Sequence, residues 1–282
     1  MKKALFVGIN KYPGSPLRGC VNDVLLMYKI LNEKLAFGKA DMKVITDAEA
    51  TKKNILANLD WLVKGSKAGD TLYFHYSGHG SQVAVTDRTN TDEVDGQDEI
   101  ICNIDLDWND PIRDNDLGAI VKKAPKGVKI VFVLDSCHSG TGLRNSWDPN
   151  GQVLNRFLPP PPSNLLSNPQ INLDDDLNFV LPELSKGILS SKKPFMIDTV
   201  NQGDALLLSG CQDNQTSADA YIGGRYQGAF TCTLAQVLAQ GGYKLSYGDL
   251  IDKVNQELDK TGYDQNPQLE GHQAYFSLPF LG

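Results

Sequence analysis

The chain has 282 residues, of which 41% are hydrophobic and 22% are charged, as is typical of a soluble globular protein with a sizeable core. Its formal net charge of −7 argues against general nucleic-acid binding, which needs a basic face. No stretch approaches the roughly 18 apolar residues of a membrane span, and the apolar run at 4–9 is too short for a signal peptide. The five cysteines are odd in number and show no CxxC pairing. We therefore expect a cytoplasmic protein in a reducing compartment, without membrane contact or a zinc framework.

Strand and helix patterns alternate along the first part of the chain. Runs of apolar β-forming residues predict strands, and apolar residues at helical spacing predict helices, the first of them with Asn22 as N-cap. In chain order these are a strand at 4–9, a helix at 23–35, a strand at 42–45, a helix at 51–63 and a strand at 71–76. Crossover helices of this kind imply a mostly parallel sheet.

Two weakly patterned segments interrupt the rest of the chain. Residues 81–112 are rich in carboxylates, and a connection as long as 141–203 is uncommon in a compact domain, so we interpret it as a linker with at most short helices, for example around 182–189. Outside these segments the patterns predict helices at 117–123, 230–238 and 246–258, and strands at 130–134, 205–209 and 273–278. Six strands with intervening helices predict a single α/β unit.

The strand at 130–134 leads into the small polar residues DSCHSG at 135–140. In open α/β sheets, ligands and catalytic groups collect at the carboxyl ends of strands. A cysteine at this place, Cys137, is either a packed small hydrophobic residue or a nucleophile. A nucleophilic thiol needs an imidazole partner, because the free thiol is only a few per cent ionised at neutral pH.

The chain contains four histidines, so each can be considered as that partner. His138 adjoins Cys137 and its side chain is expected to point away. His75 lies inside a strand, and His272 lies in a loop near the C-terminus. The spacing of His75 and His79 suits a zinc pair only on a helix, which this segment does not favour. His79 follows a strand and precedes Gly80, and glycine lets backbone amides approach a substrate carbonyl. A Cys137/His79 dyad with an oxyanion hole therefore stands beside the alternative of a buried cysteine and a surface histidine.

Two segments, HYSGHG at 75–80 and DSCHSG at 135–140, resemble the catalytic motifs of metacaspases, the caspase-related cysteine peptidases. Further segments resemble the family in the same order along the chain: ALFVGIN (4–10), GCVND (19–23), WLVKG (61–65), DEVDGQDE (92–99), SGCQDNQTSADA (209–220) and PQLEG (267–271). Together they cover most of the chain outside the linker. Without a long N-terminal prodomain, the chain is similar to the compact bacterial members, often called orthocaspases.

The resemblance implies a caspase-like fold, a three-layer α/β sandwich whose mostly parallel six-stranded sheet has helices on both faces. A single domain would span residues 1–282. Residues 1–144 would form a large-subunit-like segment with the dyad, 145–203 the linker and 204–282 a small-subunit-like segment. Metacaspases are typically monomers, and we expect a monomer here.

The resemblance also implies roles at the catalytic edge. Cys137 would be the nucleophile, and His79 would activate the thiol or protonate the leaving amine. The amides of Gly80 and Cys137 would line the oxyanion hole. The chain would thus be a thiol protease that hydrolyses peptide bonds in peptide or protein substrates.

Metacaspases cleave after Arg or Lys, which requires an acidic pocket for the residue before the scissile bond. The family's pocket residues correspond to Asp23, Asp135 and Ser77, with Cys20 nearby. Carboxylates can pair with a guanidinium through two hydrogen bonds, which favours Arg at least as much as Lys. Asp219 is expected near the cleft, without an assigned role.

Many metacaspases are activated by calcium bound to four aspartates, and hard oxygen ligands are what calcium requires. Aligned motif to motif, two of these positions hold Asp95 and Asp114, whereas the other two hold Asn115 and Arg144. An arginine does not suit a cation site. We therefore predict activity without calcium or any other cofactor, with Asp95 and Asp114 as the weak calcium candidates.

The linker offers basic residues at which the protein could cut itself: Arg144, Arg156, Lys186, Lys192 and Lys193. Two other functions remain open at this point. One is a catalytically silent caspase-fold domain that serves as a binding module or scaffold. The other is a cysteine peptidase of the same fold with a different specificity.

Overall fold

The computed structural model describes residues 1–84, 97–138, 153–161, 204–212 and 215–282. The strands of these residues are β1 (Lys2–Gly8), β2 (Met42–Thr46), β3 (Thr71–Ser77), β4 (Gly80–Ala84), β5 (Gln97–Ile101), β6 (Ile112–Arg113), β7 (Lys129–Asp135), β8 (Leu154–Asn155), β9 (Ala205–Ser209), β10 (Ala218–Ile222), β11 (Arg225–Gly228) and β12 (Gln268–Gly271). The α-helices are α1 (Cys20–Lys34), α2 (Lys52–Val63), α3 (Asp114–Lys123), α4 (Ala229–Gln240) and α5 (Tyr247–Lys260).

A six-stranded sheet in the order β12-β9-β7-β3-β1-β2 forms the centre of the structure. Five of these strands pair in parallel with their neighbours, from β9 at one side to β2 at the edge of the sheet. The sixth strand, β12, pairs antiparallel with β9 at the other edge. The six-stranded, mostly parallel sheet predicted from the sequence is therefore confirmed. The parallel strands follow from the crossover helices that connect them.

Helices cover both faces of this sheet and complete the three-layer α/β sandwich. Alternate residues of one strand belong to opposite faces: Phe132 packs with α2 and α3, whereas Val131 packs with α1, α4 and α5. Burying a side chain of this size contributes about 1.5–3 kcal/mol. The two apolar layers explain why the strands of the parallel sheet read as continuous apolar runs.

Most helix boundaries agree with the sequence to within a few residues. Thr51 caps α2 through its side chain, which accepts a hydrogen bond from the Asn54 amide. The predicted N-cap of α1 was wrong: the helix begins at Cys20 after Gly19, and the Asn22 amide group instead donates to the carbonyl of Tyr226 at 2.8 Å. A tertiary contact with β11 thus replaces the local cap.

The last predicted strand, 273–278, was also wrong. Gln273–Tyr275 forms a 3-10 helix, which begins after His272, whose ring accepts a hydrogen bond from the Ala274 amide. The edge strand is β12, a few residues earlier, where Leu269 pairs with Leu208 of β9. Main-chain pairing with β9 decides the position of this strand, because its own sequence contains few strong β-formers.

Two three-stranded antiparallel sheets lie beside the central one, and the sequence patterns predicted neither. One has the order β4-β5-β6 and uses part of the carboxylate-rich segment 81–112. The other has the order β11-β10-β8, and β8 lies in the segment predicted as a linker. The helix predicted around 182–189 lies outside the described residues. Short strands of two to five residues leave too little periodicity to be detected.

Candidate active site

The carboxyl ends of β3 and β7 bring the two predicted catalytic residues to the same edge of the sheet. The strands are parallel neighbours, and their last residues, Ser77 and Asp135, lie opposite one another. His79 and Cys137 each follow two residues later. The edge predicted from the strand patterns is therefore the one at which both residues lie.

Two backbone amides at this edge point at one carbonyl oxygen. The amide of Gly80 donates to the carbonyl oxygen of Arg156 at 2.9 Å, and the amide of Cys137 donates to the same oxygen at 3.3 Å. These are the two amides that the sequence predicted for an oxyanion hole. Paired N–H donors of this kind stabilise the negative charge that develops on a carbonyl oxygen under nucleophilic attack.

Gly80 allows this arrangement because it has no side chain. A Cβ atom at this position would overlap the backbone carbonyl of Cys137 and would lie 2.8 Å from Nδ1 of His138. The close approach of β4 to the turn after β7 therefore requires glycine.

The imidazole of His79 is held by groups that the sequence did not indicate. Its Nε2 lies 2.8 Å from the carbonyl oxygen of Ser15, and its ring packs against that of Tyr12 with 4.6 Å between centroids. The hydroxyl of Tyr12 also accepts the His79 amide at 3.1 Å, and the hydroxyl of Tyr76 donates to the His79 carbonyl. The other ring nitrogen, Nδ1, is buried and makes no hydrogen bond within the described residues. These contacts leave Nδ1 as the nitrogen that can exchange a proton with a reacting group.

Burial lowers the pKa of His79, while backbone groups of Ser15 and Arg156 act in the opposite direction. The ring is only 2% exposed in this structure. The neutral imidazole is therefore favoured at neutral pH, and a neutral ring is the form that can accept a proton.

The thiol of Cys137 is buried next to Ser217, which precedes β10. Its Sγ lies 3.6 Å from the carbonyl oxygen of Ser217, and the Ser217 amide donates to the same sulfur. The neighbouring His138 points elsewhere: Nδ1 lies 3.2 Å from the carbonyl of Ile100, and burial lowers the pKa of the ring to about 3. The structure thus agrees with the sequence in separating Cys137 from His138.

An acidic pocket lies beside these residues, and the guanidinium of Arg156 fills it. Nη2 of Arg156 lies 2.7 Å from Asp23 and 3.0 Å from Asp219, and Nη1 lies 3.1 Å from Asp135. All four side chains have zero exposed surface. The Ser77 hydroxyl accepts from Nη1 at 2.7 Å. The predicted pocket residues Asp23, Asp135 and Ser77 are therefore all in contact with one guanidinium.

The carboxylates are fixed by further donors on their outer sides. Asp23 accepts the Ser77 hydroxyl at 2.8 Å and the Gly228 amide at 2.8 Å, and burial raises its pKa to about 6 against the opposing effect of the Arg156 charge. Asp135 accepts the amide of Thr231 at 3.0 Å and the hydroxyl of Ser217. These donors hold the carboxylate oxygens in place around the guanidinium of Arg156.

Cys20, which was predicted near the pocket, lies at the first turn of α1 among buried apolar residues. Burial raises the pKa of its thiol well above the ordinary value, while the charge of Arg156 acts to lower it. Cys20 therefore borders the pocket as a neutral thiol.

The segment around Arg156 runs through the site as an extended chain. Its β8 residues pair antiparallel with β10, and the amide of Arg156 donates to the carbonyl of Ser217 at 3.1 Å. On the other side of Arg156, the Leu158 amide donates to the carbonyl of Gly80 at 3.0 Å. The segment 154–158 is thus bound as an added strand, which is how extended peptides bind to the edge of a sheet.

Of the four predicted calcium positions, Asp114 and Asn115 lie within the described residues. Asp114 lies in the first turn of α3, where its carboxylate accepts the amide of Asn115 at 2.8 Å. Asp95 and Arg144 lie outside the described residues. No group of His, Cys, Asp and Glu in the described ranges has the arrangement of a metal site. The donor set also fits calcium poorly, since an arginine stands at one of the four positions.

Comparison with known proteins places the chain in a family. Residues 2–146 match a family model described as the metacaspase, peptidase C14 domain. The Metacaspase-1 protein of Debaryomyces hansenii is 34% identical over 302 residues, which cover 99% of this chain and 67% of the relative. The chain belongs to the metacaspase family. It is therefore a cysteine-type peptidase by family.

Other metacaspases and a solved structure are also similar to this chain. Metacaspase-1 of Ajellomyces capsulatus is 34% identical over 95% of this chain and 79% of the relative, and Metacaspase-1B of Aspergillus niger is 36% identical over 95% and 64%. A crystal structure of a Geobacter sulfurreducens protein is similar with a TM-score of 0.68 and 27% identity, covering 99% of this chain and 98% of the other. The caspase-like fold predicted for this metacaspase is therefore confirmed. Of the helices in the described ranges, none is long and apolar enough to cross a membrane.

Proposed function

We propose that this metacaspase is an endopeptidase that cleaves peptide bonds after arginine, with Cys137 as nucleophile and His79 as acid and base. The observation that carries the proposal is the position of Arg156. Its guanidinium occupies the acidic pocket while its carbonyl oxygen accepts hydrogen bonds from Gly80 and Cys137. An arginine thus lies where the residue before a scissile bond would lie.

The proposed reaction has two stages. His79 accepts the thiol proton of Cys137, and the sulfur then adds to the carbonyl carbon of the substrate arginine. The amides of Gly80 and Cys137 stabilise the oxyanion, which collapses as the C–N bond breaks and His79 gives its proton to the leaving amine. Water then adds to the thioester in the same way, which releases the carboxylate product and restores the thiol.

Ser15 and Tyr12 are positioning residues in this scheme. The Ser15 carbonyl accepts the Nε2 proton of His79, which leaves Nδ1 free to take the thiol proton. Tyr12 packs on one face of the ring and holds the backbone of His79 through its hydroxyl. Together they limit rotation of the imidazole.

The same geometry supports self-cleavage of the bond between Arg156 and Phe157. This bond is the one whose carbonyl lies in the oxyanion hole. Of the basic residues predicted as self-cutting sites, Arg156 lies within the described residues, and its guanidinium occupies the pocket. Until that bond is cut or the strand leaves, the segment 154–158 competes with other substrates.

We also propose that the protein is a monomer in the reducing cytoplasm of a bacterium and that it acts without calcium. The alternative of a silent scaffold requires loss of the dyad, and both Cys137 and His79 are present at the same edge. Specificity for Asp does not suit a pocket lined by carboxylates, because like charges repel.

The proposed function is tested with fluorogenic peptides that differ only in Arg, Lys, Asp or Asn before the scissile bond. We expect turnover of the Arg peptide by the wild type, slower turnover of the Lys peptide, and none of the Asp and Asn peptides. Cys137→Ala should remove all turnover, whereas Cys232→Ala, a control cysteine on α4, should retain it. Equal rates on all four peptides, or an active Cys137→Ala protein, would exclude the proposal.

A further inference from the structure

Asp219 is a buried carboxylate to which the family resemblance assigned no role. It lies on β10, where it pairs with Leu154 of β8 and Gly228 of β11, and its side chain has no exposed surface. One of its oxygens, Oδ1, lies 3.0 Å from Nη2 of Arg156. Asp219 is thus a third carboxylate of the acidic pocket, beside Asp23 and Asp135.

The three carboxylates contact the two terminal nitrogens of the guanidinium. Nη2 lies between Asp23 and Asp219, whereas Nη1 lies between Asp135 and the hydroxyl of Ser77. The inner nitrogen, Nε, has no hydrogen-bond partner within the described residues. Recognition therefore depends on the two terminal nitrogens of the side chain.

The position of Asp219 is fixed by the loop before α1. Oδ2 accepts the amide of Arg18 at 2.7 Å, and Oδ1 accepts the amide of Gly19 at 2.8 Å. A Cβ atom at Gly19 would overlap Oδ1 of Asp219, so the close approach requires glycine. These two donors orient the carboxylate toward the guanidinium without using solvent.

We propose that Asp219 is a specificity-determining residue that contacts the substrate guanidinium and makes the pocket select arginine over lysine; this rests on the proposed peptidase function. An ammonium group has one nitrogen and ends about where the central carbon of a guanidinium lies. It cannot fill the Nη1 and Nη2 positions together. With lysine bound, at least one of three buried carboxylates loses its charged partner, and an unpaired buried charge is costly.

The test measures binding and turnover of the same peptide series in an Arg156→Gln background, so that the internal guanidinium does not compete. The peptides end in Arg, Lys or citrulline at the cleavage position, and citrulline is a neutral isostere of arginine. Binding of the corresponding product peptides is measured by calorimetry, and turnover is measured with the fluorogenic forms. Asp219→Asn is compared with Asp47→Asn, because Asp47 holds the same loop through the amides of Asn10 and Lys11 but is remote from the guanidinium contacts.

We expect Asp219→Asn to weaken binding of the Arg peptide by about 10- to 100-fold, as for loss of a hydrogen bond to a charged group, with little change for Lys and citrulline. The Arg-to-Lys ratio should fall by the same factor, while Asp47→Asn leaves it unchanged. If Asp219→Asn does not fold, Asp219→Glu, whose longer side chain enters the Nη2 position, should also lower this ratio. An unchanged ratio in the folded variant, or an equal loss for all three peptides as in Asp47→Asn, would overturn the proposal. Absence of turnover with normal Arg-selective binding would instead contradict the peptidase function.

Discussion

The carbonyl oxygen of Arg156 accepts a hydrogen bond from the amide of Gly80 while the guanidinium of the same residue is enclosed by buried carboxylates. The chain therefore binds one of its own arginines at both ends, at the carbonyl and at the side chain. A substrate peptide would have to make the same contacts at its carbonyl oxygen and at its arginine side chain. This relationship connects the proposed oxyanion hole with the acidic pocket, and the predictions below depend on it.

Gly80→Ala should lower kcat by about 100-fold or more, the range seen when one oxyanion donor is lost. The added methyl group overlaps the carbonyl of Cys137, so the two amides can no longer point at one oxygen. Gly248→Ala is the matched control, because a Cβ at Gly248 in α5 meets its nearest atom at 3.4 Å. Steady-state kinetics with an Arg peptide measures both variants. Equal kcat values for the two would contradict the assigned oxyanion hole.

The pKa of His79 should rise when the segment 154–158 leaves the site. Burial lowers this pKa in the present structure, and removal of the covering strand returns the ring toward its ordinary value of 6.5. The comparison uses Cys137→Ala, which keeps the strand intact, and Cys137→Ala with Arg156→Gln, which loses the pocket contacts. Titration of the histidine ring signals by NMR should give a higher midpoint for the double variant. A midpoint that is the same in both would show that the strand does not cover His79.

Selectivity for arginine should fall as the pH is lowered through about 6, the pKa to which burial raises Asp23. Below that pH the carboxyl is protonated and loses the charge that pairs with the guanidinium, whereas above it the charge is present. The ratio of kcat/KM for Arg and citrulline peptides isolates this effect, because titration of the thiol and imidazole cancels. Asp23→Asn should lower the ratio at pH 7 and remove its pH dependence between 5 and 7. A ratio that is constant with pH in the wild type would argue against this role.

Chelation should leave the activity unchanged within about twofold. The predicted calcium positions include Asn115 and Arg144, and an arginine supplies no oxygen ligand. Rates on the Arg peptide in EDTA and in added calcium provide the comparison. A loss of about tenfold or more in EDTA, restored by calcium, would mean that other ligands form a calcium site.

The sequence predicted the central sheet and the place of His79 and Cys137 at its edge because both are encoded locally. Apolar runs define the strands, and the short motifs at 75–80 and 135–140 follow them directly. Asp219 was expected near the cleft from the family resemblance, but no local pattern indicated its contact with the guanidinium of Arg156. The groups around His79 had no local signal at all. Ser15 and Tyr12 lie in an irregular loop, and only the tertiary structure brings them to the imidazole.

The position of Arg156 in the pocket also could not be predicted from local sequence. The sequence named it as one of several basic residues in a weakly patterned segment, and nothing local separated it from the others. Its place in the pocket depends on antiparallel pairing between β8 and β10, two short strands that are distant in sequence. The final edge strand was misplaced for a similar reason, since pairing with β9 outweighed the side-chain pattern.

Incubation of the purified wild-type protein, followed by intact mass measurement and sequencing of new amino termini, tests the central claim most directly. We expect one early cut that yields a fragment beginning at Phe157, and no such fragment from Cys137→Ala or Arg156→Gln. Lys126→Gln, a control on an exposed turn, should be cut like the wild type. A wild-type chain that stays whole at Arg156, or a Phe157 fragment from the Cys137→Ala protein, would contradict the account.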